Sequence, residues 1–304
     1  MKSIINQIEI SLLEKELTPN KLVRTTNFGK NKIYIITHHD SPNLMLEIGR
    51  LREVSFREAG GGTGKEIDID KFDTAETPYK QLIVWSKSNK EIIGGYRFLD
   101  SKSVIGKDVR TSLATAKLFH FSDTFIEKYL PYTIELGRSF VQPKYQSSRK
   151  GIFSLDNLWD GLGALTVQYP ETQYFFGKVT MYTSFNPEAR DAILFFLNKF
   201  FPDKEKIIYP HKPLDYKTDV SHLDAIFNKN TYKKNHIILN RIVRNNGEMI
   251  PPLFNAYMNL SPNMKTFGTA INDSFGEVEE TGILVNINDI YPSKKNRHIS
   301  TFKK

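Results

Sequence analysis

The run Ile134-Glu135-Leu136-Gly137-Arg138-Ser139-Phe140-Val141 places two opposite charges inside a stretch that otherwise reads as a buried β-strand. No other segment constrains the fold as much, because an unpaired charge in an apolar interior costs several kcal/mol. Glu135 and Arg138 therefore require partners or a cavity. In a regular strand, residues three apart face opposite sides of the sheet. A bulge at Leu136-Gly137, where glycine relaxes the backbone, would turn both to one face and free a backbone N–H into the same space. A carboxylate beside a free N–H suits acyl transfer: the first accepts an amine proton and the second stabilises an oxyanion. The same residues can also form a buried Arg–carboxylate network that only holds the sheet. Spacing alone leaves both readings open.

Other ionisable groups are embedded in similar surroundings. Arg52 lies one helical turn before Phe56, Arg97 interrupts an apolar strand, and Asp68, Asp70 and Asp73 fall within Glu66–Asp73. Around them the pattern predicts a helix over 4–17, a strand over 31–37 and a helix from Ser41-Pro42 to about Phe56, with Ser41 as N-cap. A hairpin of 81–86 and 92–99 follows, then a strand over 131–141, a helix over 153–168, a strand over 173–181 and a helix over 187–201. Residues 282–287 give a late strand, and 202–250 is polar and basic without a clear period. This order argues for an α+β fold with a mixed sheet. No repeat or linker divides the 304 residues, which read as a single domain.

Several motifs fail on their chemistry. Gly60 to Lys65 resembles a phosphate loop, but position 66 is Glu where the metal-binding hydroxyl should stand, and no strand leads directly into it. It reads as a mobile loop. His38-His39-Asp40 lies at a strand end, where neighbours point apart, so no metal site is expected. There is no G-x-S-x-G elbow, and none of the seven His has an Asp five residues later, which argues against glycerolipid acyltransferases of the H-x4-D type. Cysteine is absent, which removes disulfides, thiolate metal sites and Cys nucleophiles. No apolar run approaches the roughly 18 residues of a membrane span, and the first residues do not read as a secretory signal. A cytoplasmic protein is expected. Its net charge of +8 invites nucleic acid, an anionic membrane surface or an acidic protein. No nucleic-acid-binding module accompanies the charge, so that partner is set aside.

Taken in order, Arg52 and Phe56, the acidic residues Asp68, Asp70 and Asp73, Arg97, and Glu135/Arg138 resemble the acyl-homoserine-lactone synthase branch of the GNAT acyltransferase fold. The first acidic position is Asp68 rather than Glu. The closer resemblance is to the ornithine- and glycine-lipid N-acyltransferases, often labelled hemolysin-like. It rests on Glu-Leu-Gly-Arg-Ser followed by Val141, Pro143 and Tyr145, on Pro251-Pro252-Leu253 with Tyr257, and on Phe275-Gly276. It spans about 31–290, more loosely across 202–248.

The resemblance implies a GNAT-like, mostly antiparallel central sheet flanked by helices, with a basic insertion at about 202–250. It implies an N-acyltransferase that moves a 3-hydroxyacyl chain to the α-amine of glycine or ornithine, giving a membrane aminolipid. Glu135 would be the base, directly or through water. Arg138 and Arg97 would hold carboxylates, with Arg97 preferred for the acceptor and Asp70 as a partner. Arg52, Phe56, Asp68 and Asp73 would shape the substrate site, and Arg52 would position the acidic stretch or the donor arm. Val141, Arg149, Lys150 and Gly151 would meet the donor's phosphopantetheine. Family members usually carry an Arg- and Gly-rich loop after V-x-P-x-Y, whereas residues 146–151 hold a single Gly. This departure favours an acyl carrier protein over free coenzyme A, and no resident cofactor or metal is expected. An acidic carrier suits the +8 charge, and peripheral contact with an anionic membrane stays open. The alternatives are an acyl-homoserine-lactone synthase and a non-catalytic, hemolysin-like membrane-associated protein.

Overall fold

The computed structural model describes residues 1–146 and 153–302. In chain order come α1 (Ile10–Glu16), β1 (Leu22–Thr25), β2 (Lys32–Ile36), α2 (Pro42–Glu58), α3 (Lys71–Thr74), β3 (Lys80–Ser86), β4 (Glu91–Asp100) and α4 (Val109–Ser112). Next are β5 (Phe119–Phe121), β6 (Thr133–Val141), α5 (Ser154–Gln168), β7 (Tyr174–Met181), α6 (Pro187–Phe200), β8 (Ile208–Pro210) and α7 (Leu223–Ile226). Then follow α8 (Tyr232–Asn245), α9 (Pro252–Met258), β9 (Lys265–Asn272), β10 (Val278–Asn286) and α10 (Pro292–His298).

Eight strands form one sheet in the order β1-β2-β3-β4-β6-β7-β10-β9, while β5 and β8 pair separately. Every neighbouring pair in the large sheet is antiparallel except β6–β7. That parallel pair needs a crossover, which α5 supplies. The fold is α+β, with a mostly antiparallel sheet between helical layers. On one face Leu82, Val84 and Phe98 pack with Leu158 and Leu165 of α5, Phe196 of α6 and Leu239 of α8. On the other, Leu44, Met45, Ile48 and Leu51 of α2 pack with Ile83, Trp85, Ile92 and Phe140. Arg97 of β4 and Arg138 of β6 lie on this second face, close enough to Arg52 of α2 for their charges to act on it.

Several local expectations need correction. The first helix begins at Ile10 rather than residue 4, because the preceding segment bonds elsewhere: the Lys2 and Ile5 amides donate to Gly64 and Glu66. Ser41 stands at the N-cap of α2, but its hydroxyl donates to Asp40. The Glu16 carboxylate takes the free amides of Asn43 and Leu44 instead, at 3.0 and 2.8 Å. The Gly-rich loop is not a free one. Glu53, fully buried, accepts from the Thr63 and Gly64 amides at 3.0 and 2.7 Å, so an internal carboxylate occupies amides that a phosphate would need. Within 202–250 lies α8, whose Asn235, Leu239 and Val243 recur at helical spacing and are buried. The sequence pattern shows none of β1, β5, β8 and β9; the first is four residues long, the next two are three each, and β9 carries Gly268 in mid-strand, which blurs its alternation.

Candidate active site

The acidic stretch builds its own short helix. Asp70 accepts from the Phe72 amide at 2.9 Å and Asp73 from the Asp70 amide at 3.0 Å, a reciprocal capping box that fixes both carboxylates. Arginines from two other elements meet them. Arg52 of α2 lies 3.2 Å from Asp73 and also donates to Gln81. Arg97 of β4 lies 2.8 Å from Asp70 and 3.2 Å from Asp73. Arg52 and Asp73 are both 0% exposed, so this is a closed ion network and not a surface pair. Burial opposes the Asp73 charge, but Arg52 and Arg97 outweigh it and hold the carboxyl well below its usual range. Asp68 responds differently: burial pushes its pKa up despite Arg138, Arg52 and Arg97.

β6 does carry a bulge, but not at Leu136-Gly137. Gly95 pairs with Phe140 and Arg97 with Gly137, which leaves an extra residue between them on β6. Arg138 itself takes the left-handed conformation, at φ 52°. For a non-glycine residue this costs on the order of 1–3 kcal/mol and needs a compensating grip. The side chain provides one, with Nε 2.9 Å from Asp68 and the guanidinium 4.1 Å above the Phe275 ring. The bulge therefore brings Arg138 to the α2 face, where Arg97 and Glu135 also lie.

Glu135 is 1% exposed and enclosed. One oxygen accepts from the Tyr79 hydroxyl and the other from the Thr115 amide at 2.9 Å. Burial, then the neighbouring Glu135 charge, raises the Tyr79 pKa well above its ordinary value, so the phenol stays protonated and donates.

A cleft opens where β6 and β7 part. Their pairing stops at Glu135–Phe176. At the branch point a Cβ on Gly177 would lie 2.8 Å from the Leu136 carbonyl oxygen, so only glycine permits the contact. Beyond it a space of about 290 Å³ is bordered by Phe56, Arg138, Val141, Lys178, Phe275 and Glu280. It continues into an apolar pouch of Leu155, Leu158, Trp159 and Leu162 from α5 with Leu253 and Tyr257 from α9.

Of the residues expected in the site, Arg52, Asp68, Asp70, Asp73, Arg97 and Arg138 meet in one network, and Phe56, Arg138 and Val141 border the cleft. Glu135 borders neither part of the cleft. Arg149, Lys150 and Gly151 lie outside the described residues.

Residues 51–154 match the family model described as acetyltransferase (GNAT) domain. A glycine N(alpha)-acyltransferase of Phocaeicola vulgatus is 55% identical over 308 residues, covering 100% of this chain and 94% of that protein. A second one, from Bacteroides thetaiotaomicron, is 55% identical over 311 residues, covering 99% and 91%. The chain belongs to the glycine N(alpha)-acyltransferase family. It is a GNAT-fold N-acyltransferase. A solved CoA-dependent acyl-homoserine lactone synthase with SAM and isopentyl-CoA aligns at a TM-score of 0.31 and 11% identity, over 53% of this chain and 72% of that one. So weak a likeness adds nothing to the family assignment.

Sequence reasoning missed two residues of this acyltransferase's cleft. Lys178 and Glu280 form a buried ion pair there, and Glu280 also accepts from Asn272 at 3.0 Å. Burial lowers the Lys178 pKa, against the pull of Glu280 and with the help of the Arg138 charge. A signal was present: Lys178 follows Phe175-Phe176-Gly177, and Glu280 precedes an apolar strand segment, Gly282–Val285. These are charges set in apolar strands, as at Glu135 and Arg138.

Proposed function

We propose that the protein transfers a long 3-hydroxyacyl chain from the phosphopantetheine thioester of an acyl carrier protein to the α-amine of glycine, making an N-acylglycine for membrane aminolipids. The observation that carries this reading is the cleft between β6 and β7. Its inner part is apolar and, at about 50 Å³, takes the first carbons of an acyl chain, while Arg138, Lys178 and Glu280 gather charge where a small zwitterion would meet it. The names of the two relatives favour glycine over ornithine. Arg138 and Lys178 are the cations offered to the acceptor's carboxylate, and backbone amides at the bulge are offered to the oxyanion. Mass spectrometry of products from the purified protein, an acyl donor and a panel of amino acids tests the reading. N-Acylglycine as the dominant product is expected, and its absence overturns the assignment.

The choice of carrier protein rests on the stretch 146–151, which holds a single Gly, and charge is in keeping with it. The net +8 charge and the exposed Lys233, Lys234, Arg241 and Arg244 of α8 give the surface a cationic field that an acidic carrier can use. kcat/KM with acyl carrier protein should exceed that with the matching coenzyme A thioester and fall as salt rises, because ions screen steering between opposite charges. Reversing Arg149 and Lys150 should raise KM for the carrier and flatten that salt dependence. Equal efficiency of the two donors across a salt series would refute the carrier as the preferred donor. No helix among the described residues is long and apolar enough to cross a membrane.

A further inference from the structure

Resting on the reading of this protein as an amino-acid N-acyltransferase, we propose that Glu280 is the group that takes the proton of the acceptor's ammonium, with Lys178 and Arg138 binding the acceptor's carboxylate beside it. Nucleophilic attack needs a neutral amine, yet an α-amine is largely protonated in neutral water. A carboxylate must therefore reach the cleft. Among the described residues bordering the cleft and its apolar pouch, Glu280 is the only carboxylate.

The other candidates are committed elsewhere. Both oxygens of Glu135 are occupied, by the Tyr79 hydroxyl and the Thr115 amide. Asp70 and Asp73 are paired with Arg97 and Arg52, and Asp68, 1% exposed, is enclosed beside Arg138 and does not border the cleft. Glu280 is held differently. Its Oε2 accepts from Lys178 and from Asn272, while Oε1 has only the Thr180 hydroxyl at a loose 3.4 Å. One oxygen thus anchors the group, and the other keeps acceptor capacity. Lys178 carries three N–H donors, of which the Glu280 bond uses one, so two can meet a carboxylate. Both Lys178 and Arg138 border the cleft as well as the apolar pouch, where a thioester carbonyl and a small acceptor would come together.

The step balances. The ammonium gives one proton to Glu280, and the freed nitrogen lone pair attacks the thioester carbonyl carbon. The C–N bond forms and the C–S bond breaks as the tetrahedral adduct collapses. The second N–H proton leaves with the sulfur as a thiol, and Glu280 returns its proton to solvent.

Hydroxylamine, an acceptor that is already neutral at pH 7, separates this role from a structural one. Glu280→Gln should lower turnover with glycine by about 10²–10⁴, the usual range for losing a general base. With hydroxylamine the same variant should stay within roughly tenfold of wild type, since no ammonium needs deprotonating. Glu280→Asp keeps the charge opposite Lys178 and covers the case in which the Gln variant does not fold; it should show the same acceptor-selective loss, in milder form. Equal losses with both acceptors would mean that Glu280 only holds the cleft, and the proposal fails. It also fails if the selective loss appears in Glu135→Gln and not in the Glu280 variants. A wild-type enzyme that acylates no amino acid would overturn the functional reading and this inference together. Glycine transfer by wild type with near wild-type rates in Glu280→Gln would overturn this inference alone.

Discussion

Asp73→Asn is expected to destabilise the protein by about 3–5 kcal/mol, because it leaves Arg52 with no carboxylate partner in the interior and Arg97 with Asp70 alone. For a chain of this size that is a fall in Tm of roughly 5–8 °C. Asp73 faces both guanidiniums at 3.2 Å, from a helix turn that its own capping bond helps to hold. The loss should exceed that of Lys90→Ala, which breaks an exposed ion pair with Glu14 and should cost about 0–1 kcal/mol. The pH dependence has a definite sign. The folded pKa of Asp73 lies below its unfolded value, so its contribution is present above about pH 4 and is lost as pH falls below that. Thermal denaturation of wild type and Asp73→Asn between pH 3 and pH 7 checks this. The gap between the curves should narrow toward acid pH, and a constant gap would show that the Asp73 charge is not what stabilises the network.

A second large effect is expected at Arg138, and it contrasts with Arg97. Sequence reasoning prefers Arg97 for the acceptor's carboxylate. In the fold, Arg97 is shared between Asp70 and Asp73 and lies 5.1 Å from the Tyr79 ring, away from the cleft. Arg138 borders the cleft, with Asp68 on one side of its guanidinium. Arg138→Gly keeps the left-handed backbone without steric cost, but it also takes the cation from the buried Asp68, so Tm should fall alongside activity. On the proposed reading that Arg138 binds the acceptor's carboxylate, losing its charge in a desolvated site costs about 2–4 kcal/mol, a drop of roughly 30- to 1,000-fold in kcat/KM for glycine. Arg97→Lys should instead lower Tm and leave KM for glycine close to wild type, since Lys cannot reproduce Arg's planar fork between two carboxylates. Steady-state kinetics and melting curves of both variants decide the matter. A raised glycine KM in Arg97→Lys at unchanged Tm would return the acceptor site to Arg97.

The sequence by itself determined the fold class and most of the network's membership. Apolar periodicity located α2, β3, β4, β6, α5, β7 and α6, because each buries one face or both against the sheet. Arg52, the three aspartates, Arg97, Glu135 and Arg138 stood out because charge embedded in apolar sequence must be compensated somewhere. Local pattern carries that demand but not its address. Tertiary structure decided which partner each charge met: Asp73 for Arg52, Asp68 for Arg138, and Tyr79 with Thr115 for Glu135. It also decided where the bulge fell, since the strain at Arg138 is tolerated only with Asp68 and Phe275 in place. The cleft is the clearest case. It arises because β6 and β7 pair for three residues and then separate, and it is completed by Lys178 and by Glu280 from β10. No window along the chain contains that relation, because strands far apart in sequence become neighbours only once the sheet order is set.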